Sequence, residues 1–243
     1  MEKTVEEKLN LAMGTKLVLD KILKMDKFLV SEKIAQFRIK IGGKGMNLNE
    51  SLLDAARGGN LLELKTALEN GADVNARDHI GITALMFASR FGRTDAVKLL
   101  IERGADVNAK GTEDSNGITA LMLASDFGRT DAVKLLIENG ADVNTKNQEG
   151  TTAFMFAVFD GHADVAKLLM ENGADIDTIE DATGETTLMA ASYGGNVEIV
   201  KLLLEKGADV NTKDNDGKTA LMRAFERGHT EVVSLLKNAG AKE

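Results

Sequence analysis

GITALMFASRFGRTDAVKLLIERGADVNAK, residues 81–110, is the stretch that decides the fold, because most of the remaining chain repeats it. Residues 117–146 match it at 26 of 30 positions, and weaker copies begin at Gly150, Gly184 and Gly217. The Gly-Ala pair that closes each copy recurs at intervals of 33 to 36 residues. Self-similarity at such a period is typical of stacked repeats, in which each unit buries its apolar face only against its neighbours.

Within one copy, the pattern predicts two short helices. Thr83 is a good N-cap for a helix over residues 84–90, and Gly92 ends that helix. A second helix starts at Thr94 or Asp95, presents an Ala/Val/Leu/Ile face on one side and charged residues on the other, and ends before a glycine. Each unit is therefore a helix pair followed by a turn-rich crossing to the next unit.

The composition excludes several classes of protein. Of the 243 residues, 43% are hydrophobic and ten are aromatic, so the core is built mainly from Leu, Val, Ile, Ala and Met. The absence of cysteine excludes disulfides, thiolate metal sites and a cysteine nucleophile. Apolar runs are broken well short of the roughly 20 residues that a membrane span needs, and no secretory signal opens the sequence. We therefore expect a cytoplasmic location.

The net charge of −8 is unevenly distributed along the chain. Residues 1–49 hold ten Lys/Arg and six Asp/Glu, a charge of +4, whereas residues 50–243 hold twenty and thirty-two, a charge of −12. An acidic array repels a phosphate backbone, so no nucleic-acid partner is expected for the repeats.

Residues 1–45 do not share the repeat. Apolar residues at helical spacing predict two amphipathic helices broken near Gly14, and a glycine-rich joint over residues 42–45 closes the segment. Two interpretations are open. The segment covers the apolar end of the first repeat, or its basic amphipathic part, residues 1–41, docks on a membrane surface or a second chain while the repeats act as a spacer.

The repeated pattern, G-x-T-A-L-M-x-A followed by G-A-D-V-N, resembles the ankyrin repeat over about 195 of the 243 residues. The sequence departs from the family's usual T-P-L-H in a consistent way. Ala or Thr replaces the proline, and methionine replaces the histidine at Met86, Met122, Met155, Met189 and Met222. In the family, the histidine ties adjacent units by hydrogen bonds. Its replacement favours apolar packing, with a metal or oxidation site as the alternative.

The resemblance implies an all-α ankyrin-repeat solenoid of paired antiparallel helices with β-hairpin-like loops, a helical N-terminal extension (1–45) and a repeat domain (46–243). It also implies a non-enzymatic protein that binds another protein; a monomer is expected. The predicted units span about 46–77, 78–110, 111–146, 147–179, 180–213 and 214–243.

Candidate catalytic and metal-binding residues do not combine into a site. His162 and His229 occupy the same turn in units two apart, and His79 lies at a loop tip, so all three are interpreted as solvent-facing turn residues. The stretch from Asp214 imitates a calcium loop, but Arg223 stands where the last carboxylate ligand belongs. No catalytic residue, metal or cofactor is therefore predicted, and an enzyme remains the rival class.

The resemblance places partner binding on a concave surface formed by the loop tips and the first helix of each unit. Phe91, Phe127, Phe159 and Tyr193 fall at one of two helix-end positions, and are either anchors for a partner or rings packed between units. The residues predicted to bind the partner are His79, Ile80, Ile82, Arg90, Phe91, Asn116, Ile118, Asp126, Phe127, Glu149, Phe159, Asp160, Glu185, Tyr193, Glu226 and Arg227.

Two repeat periods are lengthened at the loop tips, and these tips are acidic. Their carboxylates are Glu113, Asp114, Glu180 and Asp181. Insertions in a repeat array often collect on the binding face. An acidic rim favours a partner with a basic patch by speeding association. The alternative is that these charges only keep the protein soluble.

Overall fold

The structure is a computed structural model that describes residues 47–177, 179 and 183–242. The predicted extension over residues 1–45 lies outside this part of the chain. In the described part, twelve α-helices follow one another as six pairs. They are α1 (Leu48–Gly58), α2 (Leu61–Glu69), α3 (Ala84–Arg90), α4 (Thr94–Glu102), α5 (Ala120–Asp126), α6 (Thr130–Glu138), α7 (Ala153–Phe159), α8 (Ala163–Glu171), α9 (Thr187–Gly194), α10 (Val197–Glu205), α11 (Ala220–Glu226) and α12 (Thr230–Asn238).

Where the loops between pairs are described, they contain almost no regular extended structure. Two isolated antiparallel bridges, Arg77 with Thr83 and Ile179 with Thr186, are the β-pairings of the described residues. The predicted all-α solenoid with hairpin-like loops is confirmed.

A threonine caps the first helix in five of the six pairs. The hydroxyl of each N-cap accepts a hydrogen bond from the backbone N–H of the methionine three residues on, at 3.2–3.3 Å, from Thr83 to Thr219. The sulfur of Met86 accepts a bond in return from the Thr83 N–H at 3.4 Å, which closes a capping box. The methionine sulfur therefore contributes to capping within its own unit, and it does not replace the tie between units that the family's histidine makes.

Four of these five methionines are also core residues. Met86, Met122 and Met155 are fully buried, and Met189 is nearly so. They pack where the first helices of neighbouring units meet, and these first helices contact each other more extensively than the second helices do. The stack is therefore packed more tightly on the side of the first helices.

Side chains that precede the second helices tie adjacent units together. The ring Nε2 of His162 lies 2.9 Å from the carbonyl oxygen of Asp126, and that of His229 lies 3.0 Å from the carbonyl oxygen of Tyr193. Both histidines are half-buried, so the prediction that they face solvent is wrong; His79 is exposed as expected. They satisfy carbonyls at the end of a first helix, which lack a partner within that helix.

Each of these histidine rings lies against a glycine of the preceding unit, His162 against Gly128 and His229 against Gly195. Gly228 holds the same position in its unit but has no such ring against it, so alanine substitutions of Gly128 and Gly228 form a matched pair. A Cβ at Gly128 would lie 2.6 Å from the His162 Nδ1, whereas a Cβ at Gly228 meets nothing within 4 Å. Both glycines have positive φ, 61° and 74°, so alanine strains both backbones, by roughly 1–2 kcal/mol.

We expect Gly128→Ala to lower the free energy of unfolding by about 1 kcal/mol more than Gly228→Ala, since only the first displaces a hydrogen-bonded side chain. Urea unfolding followed by circular dichroism measures both. Equal losses would show that the histidine tie contributes nothing measurable.

Candidate functional site

Four aromatic rings, Phe91, Phe127, Phe159 and Tyr193, lie at the ends of α3, α5, α7 and α9. We call them the aromatic row. Each is between 36% and 40% exposed, whereas neighbouring residues of the same helix ends, such as Ser89 and Val158, are fully buried. Packing between units therefore leaves more than a third of each ring in contact with solvent.

Arginines hold parts of the aromatic row in place. The Arg90 guanidinium lies 5.6 Å from the ring centre of Phe91 and 4.8 Å from that of Phe127 in the next unit. Arg227 lies 4.3 Å from the ring centre of Tyr193, again across a junction between units. These cation–π contacts stabilise the rings in one orientation, which lowers the entropy that a partner must remove on binding.

Between α5 and α7, which we call the central junction, the carboxyl groups of Asp126 and Asp160 take the place of a cation and a ring. Burial raises the pKa of Asp126 to about 6, and a hydrogen bond and charge repulsion from Asp160 add to the rise. Arg90 and His162 act in the opposite direction. Two adjacent carboxylates repel each other, so the pair holds a proton more firmly than a lone aspartate does.

This pair predicts a pH dependence of stability. The pKa of Asp126 in the folded chain lies above its ordinary value of 3.8, so the folded state binds the proton more tightly. The contribution to stability is complete below that ordinary value and is lost as the pH rises through about 6.

The free energy of unfolding of the unmodified protein minus that of Asp126→Asn should therefore fall between about pH 4 and pH 7. We expect a fall of about 1 kcal/mol or less, because the pair is partly exposed and screened by solvent. Urea titrations at several pH values measure it, with Glu171→Gln, an exposed carboxylate on a second helix, as the control. A difference that stays flat or rises would contradict the assignment.

The other predicted binding residues differ in how far they are exposed to solvent. Ile82 is 8% exposed and packs in the hydrophobic core, so the prediction that it faces a partner is wrong. The Asp78 carboxylate accepts a hydrogen bond from the Ile82 backbone N–H at 2.8 Å. The Ile82 side chain lies in the core. His79, Arg90, Glu149, Asp160, Glu226 and Arg227 are exposed, and Ile80, Asn116, Ile118, Asp126 and Glu185 are half-buried.

A second set of apolar residues lies one turn before the aromatic row and is absent from the sequence prediction. Phe87 stacks under Arg57 at 4.3 Å, and Leu123 and Phe156 at the equivalent positions are half-buried. The sequence contains a signal for this set: Phe87 and Leu123 each precede a ring of the aromatic row by four residues, so they share its helix face.

The last unit also exposes apolar surface that the sequence prediction omits. Met222 is 37% exposed and Phe225 is 74% exposed, whereas the equivalent methionines of the four preceding pairs are buried. Together with Leu221, Lys218, Glu226 and Lys237 they line an open pocket of about 460 Å³. We call Leu221, Met222 and Phe225 the apolar end face.

The structure describes one of the two lengthened loop tips. Glu113 and Asp114 are exposed in a single 3₁₀ turn, Glu113–Ser115, which ends at Asn116 with a positive φ of 57°. Glu180 and Asp181 of the other tip lie outside the described residues.

Neither a metal centre nor a membrane segment is found in the described ranges. No three His, Asp or Glu side chains converge there on a point that could hold a metal ion. None of the helices described combines the length and the apolar character that crossing a bilayer requires.

Comparison with known proteins agrees with this geometry. A family model described as ankyrin repeats (3 copies) matches residues 29–111, 52–147, 109–180 and 154–243. The chain therefore belongs to the ankyrin repeat family. Ankyrin repeats are generally protein–protein interaction modules and are typically not enzymes.

A solved structure shows the same fold. The crystal structure of the human ASB11 ankyrin repeat domain is 32% identical, with a TM-score of 0.71, and the match covers 79% of this chain and 84% of that one. Curated proteins gave no significant match.

Proposed function

We propose that this protein is a non-enzymatic interaction module of the cytoplasm that binds a partner protein on the concave side of the array. The aromatic row is the anchor. The observation that supports this most is that four aromatic residues at the ends of successive first helices are each 36–40% exposed. Aromatic side chains held by arginines are typical of the residues that dominate binding energy at interfaces.

The loop tips add a long-range contribution. Glu113, Asp114, Glu149 and Asp216 are exposed carboxylates on these tips, within an array whose residues 50–243 carry a charge of −12. Such a rim attracts a partner with a basic patch and raises its association rate more than its affinity. Raised ionic strength should therefore slow association while changing dissociation little.

A pull-down from lysate tests this function. The full chain is compared with a Phe91→Ala/Phe127→Ala/Tyr193→Ala variant and with a Lys98→Ala/Lys134→Ala/Lys167→Ala control, which alters exposed side chains of the second helices. We expect a protein that is retained by the full chain and the control but lost by the aromatic variant. Retention by all three would place binding elsewhere on the molecule.

A further inference from the structure

The sequence contains four Asn-Gly dipeptides, and the structure holds one of them differently from the other three. They begin at Asn70, Asn116, Asn139 and Asn172. In a flexible chain, asparagine deamidates most readily before glycine, because glycine has no side chain to hinder attack by its own backbone nitrogen. In a folded chain, the reaction depends on how firmly each asparagine is held.

Three of these asparagines are held at the ends of second helices. The side-chain Nδ2 of each donates to the backbone carbonyl four residues earlier, at 2.7–2.8 Å, in Asn70, Asn139 and Asn172. The chain that follows is also tied. The N–H of Ala141 donates to the carbonyl of Leu136 at 2.9 Å, and Leu136 is fully buried. Attack at Asn139 therefore requires the last helical turn to open next to a core residue.

Asn116 is held less firmly. It follows the 3₁₀ turn Glu113–Ser115 at the lengthened loop tip, and none of the residues of that turn is buried. Within residues 47–177, 179 and 183–242, no group forms a hydrogen bond with its side-chain amide. Its φ of 57° is the one positive value of a non-glycine residue in those ranges, a strained conformation. Opening of the tip relieves this strain and disrupts no core packing, so it requires little free energy.

The nitrogen that attacks Asn116 belongs to the backbone of Gly117. Its N–H donates to the carbonyl oxygen of Thr112 at 3.0 Å, and the same oxygen accepts from the N–H and the hydroxyl of Ser115. A carbonyl oxygen has two lone pairs, so three donors share them and each bond is weakened. The Gly117 nitrogen is therefore released by opening of the tip alone.

We propose that Asn116 is a deamidation site that adds a carboxylate to the acidic loop tip of the folded protein. The Gly117 nitrogen, deprotonated by hydroxide, bonds to the Asn116 Cγ. The Cγ–Nδ2 bond breaks, and ammonia leaves with a proton from water. Water then opens the five-membered imide at either carbonyl carbon, which gives aspartate or isoaspartate. The net reaction converts the amide and one water into a carboxylic acid and ammonia.

The product changes the surface in two ways. The new carboxylate lies on the same tip as Glu113 and Asp114 and increases its negative charge. In isoaspartate the backbone runs through the former side chain, so the Asn116 carbonyl becomes part of the free carboxylate. That carbonyl accepts a hydrogen bond from the Gln148 N–H of the next unit at 3.2 Å. The reaction is independent of the proposed function, and only the effect of the added charge on a basic partner rests on it.

Peptide mapping by mass spectrometry tests the proposal. Full-length protein is incubated at pH 8, folded or unfolded in guanidinium chloride, and Asn, Asp and isoAsp are quantified at the four positions over time. The three helix-end sites share the sequence Glu-Asn-Gly-Ala-Asp, and the unfolded chain gives the intrinsic rate of each site. Relative to its own unfolded rate, we expect Asn116 in the folded protein to react at least tenfold faster than each of the others.

Solvent exposure alone predicts the opposite order, because Asn70, Asn139 and Asn172 are exposed whereas Asn116 is half-buried. Equal protection at the four sites, faster reaction at a helix-end site, or no reaction of Asn116 in the folded protein would overturn the inference.

A matched pair of variants assigns the product without peptide mapping. Enzymatic methylation of isoaspartate is measured in the folded protein after the same incubation. Asn116→Gln keeps an amide but cannot form the five-membered imide, so we expect it to abolish the signal. Asn139→Gln makes the same change at a helix end and should leave the signal unchanged. A signal that survives Asn116→Gln and is lost in Asn139→Gln would place the reaction at the helix end and contradict the proposal.

Discussion

Met122→Ala is expected to lower the free energy of unfolding by about 3 kcal/mol, and Met222→Ala by less than about 1 kcal/mol. The two residues hold the same position in their repeats, and each donates its N–H to the N-cap threonine. Met122 is fully buried between units, whereas Met222 is 37% exposed on the apolar end face. A buried methionine that becomes alanine costs roughly 2–5 kcal/mol, because the neighbours cannot close the cavity.

Urea unfolding of both variants under identical conditions measures the difference. Both variants carry the same Met→Ala change in the same chain, so the effects of the change on the unfolded state largely cancel in the comparison. Equal losses would contradict the account, since they would mean that contact with the following unit adds nothing to the stability of a repeat.

Phe127→Ala is expected to weaken binding of the partner at least tenfold, or about 1.4 kcal/mol. Phe127 lies in the middle of the aromatic row, and its ring is held under Arg90 at 4.8 Å. Removing it takes away contact area and also frees the arginine, so both the anchor and its orientation are lost. Most of the residue is buried, so circular dichroism must show that the variant stays folded under the binding conditions.

Phe225→Ala provides the control for this measurement. That ring is 74% exposed but lies on the apolar end face and outside the aromatic row. Calorimetric titration of the partner recovered by pull-down should give the same dissociation constant for this variant as for the full chain. If Phe225→Ala weakens binding as much as Phe127→Ala does, the partner recognises exposed rings without regard to the row.

The sequence was sufficient to predict the features that depend on local signals. The N-cap at Thr83 and a second helix that starts at Thr94 or Asp95, observed at Thr94, follow from residues within a few positions of one another. Near-identity of two units made these signals stronger, since the same threonine, methionine and glycine recur at fixed spacing.

Features that depend on stacking were not predictable in the same way. The sequence predicts that His162 faces solvent, because its partner, the carbonyl of Asp126, is 36 residues away and leaves no local signal. The contact between Asp126 and Asp160 joins two different helix-end positions, and only the offset between adjacent units brings them together. The sequence predicts that Ile82 faces a partner, whereas Ile82 is buried and its N–H donates to the Asp78 carboxylate, which the repeat pattern alone does not reveal.

The most direct test of the aromatic row is covalent capture. Phe127→p-benzoylphenylalanine keeps an aromatic side chain at the centre of the row and crosslinks to whatever touches it on irradiation. The matched position is Lys167, exposed on the second helix α8. We predict a crosslinked partner from position 127 and none from position 167. A partner captured only from position 167 would contradict the central claim that the aromatic row is the binding surface.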